Sequence, residues 1–175
     1  NLSAYYSMNI VVIIPAFNEE NAVGKVVSEI PKQLVDEVIV VNNNSTDQTS
    51  EAAKKEGATV LFEATKGYGI ACLKGIDYLK NTRQKTTDIV VFLDADYSDY
   101  PEQMIDIVKP IQENSADMVI GSRALGRKEG GSMTVPQVFG NWLATSLMKW
   151  SYGAKFTDLG PFRAIRYDSL LALDM

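Results

Sequence analysis

Histidine is absent from this 175-residue chain, and cysteine occurs once, at Cys72. Without histidine there is no Ser-His-Asp or Cys-His site, and a zinc centre loses a principal ligand. One cysteine forbids an internal disulfide and suits a reducing compartment. Acid–base chemistry is left to Asp, Glu, Lys and Tyr. No apolar run approaches the ~20 residues needed to span a bilayer. Asn1–Ser7 has neither the basic nor the apolar region of a secretory signal. Two nucleotide motifs are also missing. Pro15–Glu20 stands where a dinucleotide fold would carry Gly-x-Gly-x-x-Gly, and no Gly-x-x-x-x-Gly-Lys-Ser/Thr occurs.

What is present is the composition of a globular domain, 46% hydrophobic and 22% charged. The length suits one domain with a real core. The net charge of −5 hides an asymmetry. Residues 1–122 carry 10 Lys/Arg against 18 Asp/Glu, a balance of −8. Residues 123–166 carry 7 against 2, a balance of +5. An acidic body with a basic late segment suggests an anionic ligand or surface near the C-terminal third. The broader basic footprint of a nucleic-acid binder is not there. Met8 directly precedes the first predicted strand, so residues 1–7 are expected to be a tag or disordered leader and 8–175 one domain.

Strand and helix patterns alternate along the first 120 residues. Asn9–Ile14 predicts a strand stopped by Pro15. Ala22, Val23, Val26, Val27 and Ile30 form a one-sided helical stripe ended by Pro31. Glu37–Val41 predicts the second strand. Ser45 or Thr46 is expected to cap the next helix, which Gly57 stops. Thr59–Phe62 is a short third strand, and Lys66–Gly69 opens a helix running to about Lys80. Ile89–Leu93 is a buried strand, followed by a helix from Pro101 and a fifth strand over Asp117–Ile120. Short connections between such units predict a doubly wound, mostly parallel sheet with helices on both faces. Val135–Trp150 predicts a helix whose apolar stripe packs into the core or lies on a membrane interface. Phe156–Arg166 reads as strand and turn, and Tyr167–Met175 as the start of a helix.

The chemistry gathers where these strands end. Ile89–Leu93 runs into Asp94 and Asp96, at the edge where open α/β sheets bind ligands. Two carboxylates one residue apart can converge on a hard cation, Mg²⁺ or Mn²⁺, whose shell substrate phosphates and water complete. The plainer alternative is that they start a loop or cap the following helix. The other strand ends also carry polar residues where a nucleotide would lie. Ala16-Phe17-Asn18-Glu19 follows the first strand, Asn42-Asn43 the second, Lys66-Gly67 the third and Arg123 the fifth. Ala16 and Gly67 allow close backbone approach, Asn and Glu can hydrogen-bond a base or ribose, and Lys66 and Arg123 can neutralise phosphate.

In combined order and spacing, the series Ile14-Pro-Ala-Phe-Asn-Glu-Glu20, Val41-Asn-Asn-Asn-Ser-Thr-Asp47, Lys66-Gly-Tyr-Gly69, Asp94-Ala-Asp96 and Gly121-Ser-Arg123 resembles the family 2 glycosyltransferases with the GT-A fold. It is most similar to their dolichyl-phosphate mannose and glucose synthase branch. Asp158–Arg166 resembles a segment of bacterial members. The resemblance spans about residues 9–175. It implies a UDP- or GDP-sugar donor, a divalent metal on Asp94 and Asp96, and inversion at the anomeric carbon. It also implies nucleoside contacts from Pro15, Ala16, Phe17, Asn18, Glu19, Asn42 and Asn43. Lys66, Gly67 and Ala95 would join them around the donor, with Arg123 near phosphate. A polyprenyl phosphate acceptor is already an anionic nucleophile, which suits a chain without histidine. Such an enzyme would work at the cytoplasmic membrane face, in peripheral contact with it.

Two departures stand out. The family often has Asp where Asn42 and Asn43 stand, which leaves the base open. Family members also continue past this point, so the domain is expected to lack a C-terminal portion. Asp158 and Arg163 are candidates for acceptor or diphosphate contacts, with a structural ion pair the alternative for each. The rival functions are transfer to a glycan or small soluble hydroxyl, with Asp158 as base, and a catalytically silent nucleotide-sugar binding module.

Overall fold

The computed structural model describes residues 8–83, 86–121, 135–146 and 162–172. Its spine is β1 (Ile10–Ala16), buried along its whole length. An unbroken apolar run suits a strand covered on both faces. The strand carries through Pro15 to Ala16, one step beyond the predicted stop. Proline's fixed φ suits extended backbone, and only its missing N–H is lost at the strand's end. β2 (Glu37–Asn42) and β4 (Ile89–Phe92) flank β1, both parallel to it. β3 (Thr59–Phe62) pairs parallel with β2, and β5 (Met118–Ile120) forms the far edge.

Chain order and spatial order differ in one respect the sequence did not show. The sheet runs β3-β2-β1-β4-β6-β5, with β6 (Arg163–Arg166) inserted antiparallel between β4 and β5. Of the expected Phe156–Arg166 strand-and-turn, residues 162–166 are described. Phe92 pairs with Arg163, and Arg163 with Ile120. Arg166 anchors the other end of β6 through Asp117 at 3.1 Å, Asn114 at 3.0 Å and the Ile111 carbonyl at 3.1 Å.

Alternation along the strands sorts the core into two layers. Ile10, Val12 and Ile14 face α1 (Val23–Glu29), α2 (Thr49–Lys55) and α4 (Met104–Gln112). Val11 and Ile13 face α3 (Tyr68–Thr82), α5 (Val135–Ser146) and α6 (Tyr167–Leu171). Period-2 burial meets period-3.6 stripes on each side. Gly75 lets α3 settle directly on β1, since a Cβ there would come within 2.8 Å of Ile13. On α5, Phe139, Trp142 and Leu143 are buried against Phe92 and Tyr68, so this stretch packs into the core. Leu147 and Trp150 lie outside the described residues. Among the described residues no helix is long and apolar enough to cross a membrane.

The helix ends follow the sequence with two corrections. Ile30 turns extended before Pro31, and Gly57 ends α2 with φ +90. Neither Ser45 nor Thr46 caps α2, however. The helix begins at Thr49 after Gln48, and both residues are engaged by the β1 loop instead. The helix expected from Pro101 opens as a 3₁₀ turn, Pro101–Gln103, before α4.

Candidate active site

β1 and β4 are adjacent, while β2 and β3 lie on one side and β6 and β5 on the other. The strand order therefore reverses between β1 and β4, and a crevice opens beyond their carboxyl ends. The loops carrying Phe17–Glu19 and Asp94–Asp96 meet there.

The first two loops are stitched to each other. Asn18 takes a left-handed backbone, φ +52, which asparagine tolerates. Its N–H donates to Ser45 Oγ at 2.9 Å, and its Oδ1 accepts from the Thr46 N–H at 2.8 Å. The Glu19 N–H donates to Thr49 Oγ1 at 2.9 Å, and Glu20 accepts from the Gln48 N–H at 3.0 Å. The Asn18 side chain, a candidate for nucleoside contact, thus holds the neighbouring loop.

Asn43 corrects the sequence reading more sharply. Its side chain is fully buried and donates to the carbonyls of Glu63, 3.1 Å, and Thr65, 2.7 Å. Its Oδ1 accepts from the Gly67 N–H at 2.8 Å. Both amide protons are used, so Asn43 shapes the loop after β3 from beneath. Gly67 has φ +150, a conformation that side-chain-bearing residues avoid. Asn42 is likewise engaged, with Ser50 Oγ at 2.6 Å and the Ser45 N–H at 2.9 Å. This scaffold brings the exposed Lys66 ammonium over the Phe17 ring, 5.0 Å from its centre. Pro15 and Ala16 are buried at the end of β1 beside them.

At the end of β4, Asp94 is 8% exposed and Ala95 buried, while Asp96 is exposed. Neither carboxylate caps the helix that follows, whose first residue is preceded by Tyr100 with no side-chain cap. Asp96 Oδ1 accepts from the Ser98 N–H at 3.0 Å, closing a tight turn. Glu19 faces the pair from the β1 loop. Burial first, then the Asp96, Asp94 and Asp47 carboxylates, lift its carboxyl above the usual range. Among the described residues no three acidic, histidine or thiol groups close into a cation cage of their own. Two carboxylates and a buried Ser98 hydroxyl without a hydrogen-bond partner nevertheless fit a hard divalent ion that takes its remaining ligands from phosphate and water.

Beneath Asp94 lies a residue the sequence offered as a diphosphate or acceptor contact. Arg163 is wholly enclosed, its guanidinium 4.0 Å over the Trp142 ring. Burial lowers its pKa to about 10, against the opposing pull of Tyr68, Cys72 and Asp94. It remains a cation at neutral pH, within electrostatic reach of Asp94. Tyr68, also buried, has its phenol raised by burial first and then by Asp94. Spacing gives no sign that Tyr68, between the two motif glycines, and Trp142 join the site's floor. Arg123 and Asp158 fall outside the described residues. The Gly121 N–H, just past β5, donates to the Phe162 carbonyl at 2.7 Å, and a Cβ there would meet the Phe162 ring at 2.8 Å.

The family model for glycosyl transferase family 2 matches residues 11–173. An uncharacterized protein of Methanocaldococcus jannaschii is 35% identical over 91% of this chain and 71% of its own length. Undecaprenyl-phosphate mannosyltransferase of Micrococcus luteus is 30% identical over 96% of this chain and 70% of its own. Among solved structures, glucosyl-3-phosphoglycerate synthase of Mycobacterium tuberculosis in complex with UDP superposes with a TM-score of 0.64 at 25% identity. That match covers 95% of this chain but 59% of the synthase. The sheet, the carboxylate pair at its switch point and the family match agree, and the chain belongs to glycosyl transferase family 2, with the GT-A fold, in the branch similar to the dolichyl-phosphate sugar synthases.

Proposed function

We propose that this domain transfers a hexose from a nucleoside-diphosphate sugar to a polyprenyl phosphate, with inversion at the anomeric carbon. The observation that carries this reading is the meeting of Glu19, Asp94 and Asp96 at the β1–β4 crevice, with Lys66 and Phe17 alongside. Excess negative charge at a ligand edge is unfavourable alone and becomes favourable around a cation-bound diphosphate. Asp94 and Asp96 would hold Mg²⁺ or Mn²⁺, whose chemistry is to offset charge building on the departing diphosphate. Phe17 offers a flat apolar surface to a base, and Lys66 a positive charge to the phosphates. Arg163 and Tyr68, buried beside it, would orient Asp94. Arg123 is proposed near the diphosphate and Asp158 near the acceptor. An acceptor phosphate oxygen attacks without prior deprotonation, so no residue need serve as general base. The undecaprenyl-phosphate mannosyltransferase relative supports the lipid acceptor and peripheral membrane contact.

A second reading keeps the donor and replaces the lipid with a small soluble acceptor. The fold likeness to glucosyl-3-phosphoglycerate synthase favours it. Titration calorimetry of UDP, GDP and their hexose conjugates, with and without Mn²⁺, tests the donor half. Metal-dependent binding of one nucleotide, lost in Asp96→Ala, is expected; no binding by the folded wild-type chain would overturn the reading. Radiolabelled transfer to undecaprenyl phosphate against 3-phosphoglycerate then separates the two acceptors.

A further inference from the structure

Tyr97 directly follows the carboxylate pair and has a left-handed backbone, φ +60. A bulky aromatic residue in that region is a true outlier, strained unless its surroundings enforce it. The surroundings here are specific. The Tyr97 ring packs against the apolar layer under α1, with the Lys25 ammonium 4.0 Å from its centre. Its hydroxyl donates to the Glu29 carboxylate. Lys25 and Glu29 stand four residues apart on α1, one helical turn, and so grip ring and hydroxyl from one face. The same helix begins just past Glu19, the third carboxylate of the crevice.

We infer that Tyr97 is a positioning residue: clamped by Lys25 and Glu29, it holds the Asp94–Ser98 turn in the strained form that aims both carboxylates at the crevice. Glycine at 97 would adopt the same φ without strain, so the aromatic side chain is not there to suit the backbone. It is there to pull the turn onto α1. Two parts of the donor site, the β1 loop and the β4 turn, thereby share one rigid helix. Pre-set geometry of this kind spares the ordering of the turn when ligand arrives. The functional consequence rests on the donor reading above, whereas the clamp itself can be tested without it.

The experiment is hydrogen–deuterium exchange on the free chain, beside Mn²⁺·UDP titration, for wild type, Tyr97→Gly, Tyr97→Phe, Glu29→Ala and Glu29→Gln. Peptides covering 94–100 should exchange about tenfold faster in Tyr97→Gly and Glu29→Ala, with the strands β1 and β4 unchanged. Tyr97→Phe should fall between, and Glu29→Gln, which keeps an acceptor, should stay near wild type. Mn²⁺·UDP affinity should drop about tenfold in the same order. Unchanged exchange at 94–100 would overturn the clamp, as would a uniform rise across the whole sheet, which marks Tyr97 as core packing only. Local loosening with undiminished Mn²⁺·UDP affinity would overturn its positioning role. If wild type binds no nucleotide while the exchange pattern holds, the donor reading falls and the clamp stands.

Discussion

The two ends of the sheet treat charge in opposite ways. At the amino ends of the strands the acids Asp88, Asp36 and Glu37 each have donors. Asp88 accepts from the Asn9 N–H at 2.7 Å, Asp36 from the Ile10 N–H at 2.8 Å, and Glu37 pairs with Arg83 at 2.9 Å. Burial alone would raise the Glu37 carboxyl, but hydrogen bonds from Arg83, Thr59 and Tyr78 outweigh it and hold the pKa below 4.5. At the carboxyl ends acids crowd acids, and Glu19 is raised. One end is arranged for stability. The other tolerates repulsion, which is the arrangement expected where a cation and an anionic ligand complete the charge balance.

The largest effect expected from this contrast is on transfer. Asp96→Ala should lower the rate about 1,000-fold, because charge stabilisation through a metal is worth several kcal/mol, while leaving thermal stability close to wild type. A steady-state assay paired with a melting curve checks both halves. Next in size is ligand stabilisation. Mn²⁺ with UDP at about 100 times Kd should stabilise the chain by about 2.7 kcal/mol, and this gain should vanish in Asp96→Ala but persist in Glu37→Gln.

Glu37→Gln probes the satisfied end. It should cost about 1 kcal/mol at pH 7 by weakening a charge-assisted bond to Arg83. The sign with pH is definite. A carboxyl depressed in the folded state contributes stability that is present above its unfolded value of 4.5 and lost as pH falls through the folded value. Denaturant midpoints of wild type and Glu37→Gln should therefore converge in acid. Glu19→Gln at the crowded end should move the other way. It relieves repulsion and should stabilise the metal-free chain by about 0.5 kcal/mol, an advantage that disappears once Mn²⁺ and UDP are added. A destabilised Glu19→Gln chain would erase the contrast.

Much of this was legible in local pattern. The apolar run Ile89–Leu93 breaking into Asp94 and Asp96 marks a strand meeting a ligand edge, and the structure puts a strand and a tight turn there. The stripe Phe139, Trp142 and Leu143 read as core or membrane face, and its burial against Phe92 decides for the core. The roles of Asn43 and Arg163 were not legible. Both are polar residues at the correct sheet edge, and residue type cannot distinguish a side chain that faces ligand from one that faces the protein's own interior.

The sequence by itself determined the order of strands and helices, which residues turn inward, and the edge where carboxylates and small residues collect. These follow from periodicity and turn chemistry, which act between neighbours in the chain. Tertiary structure decided that β6 enters antiparallel between β4 and β5, that Arg163 lies under Asp94, and that α1 grips Tyr97. Each of these is a choice of partner between segments far apart in sequence. A periodic pattern specifies which face of a strand or helix is buried, but only packing of the whole chain selects the neighbour that buries it.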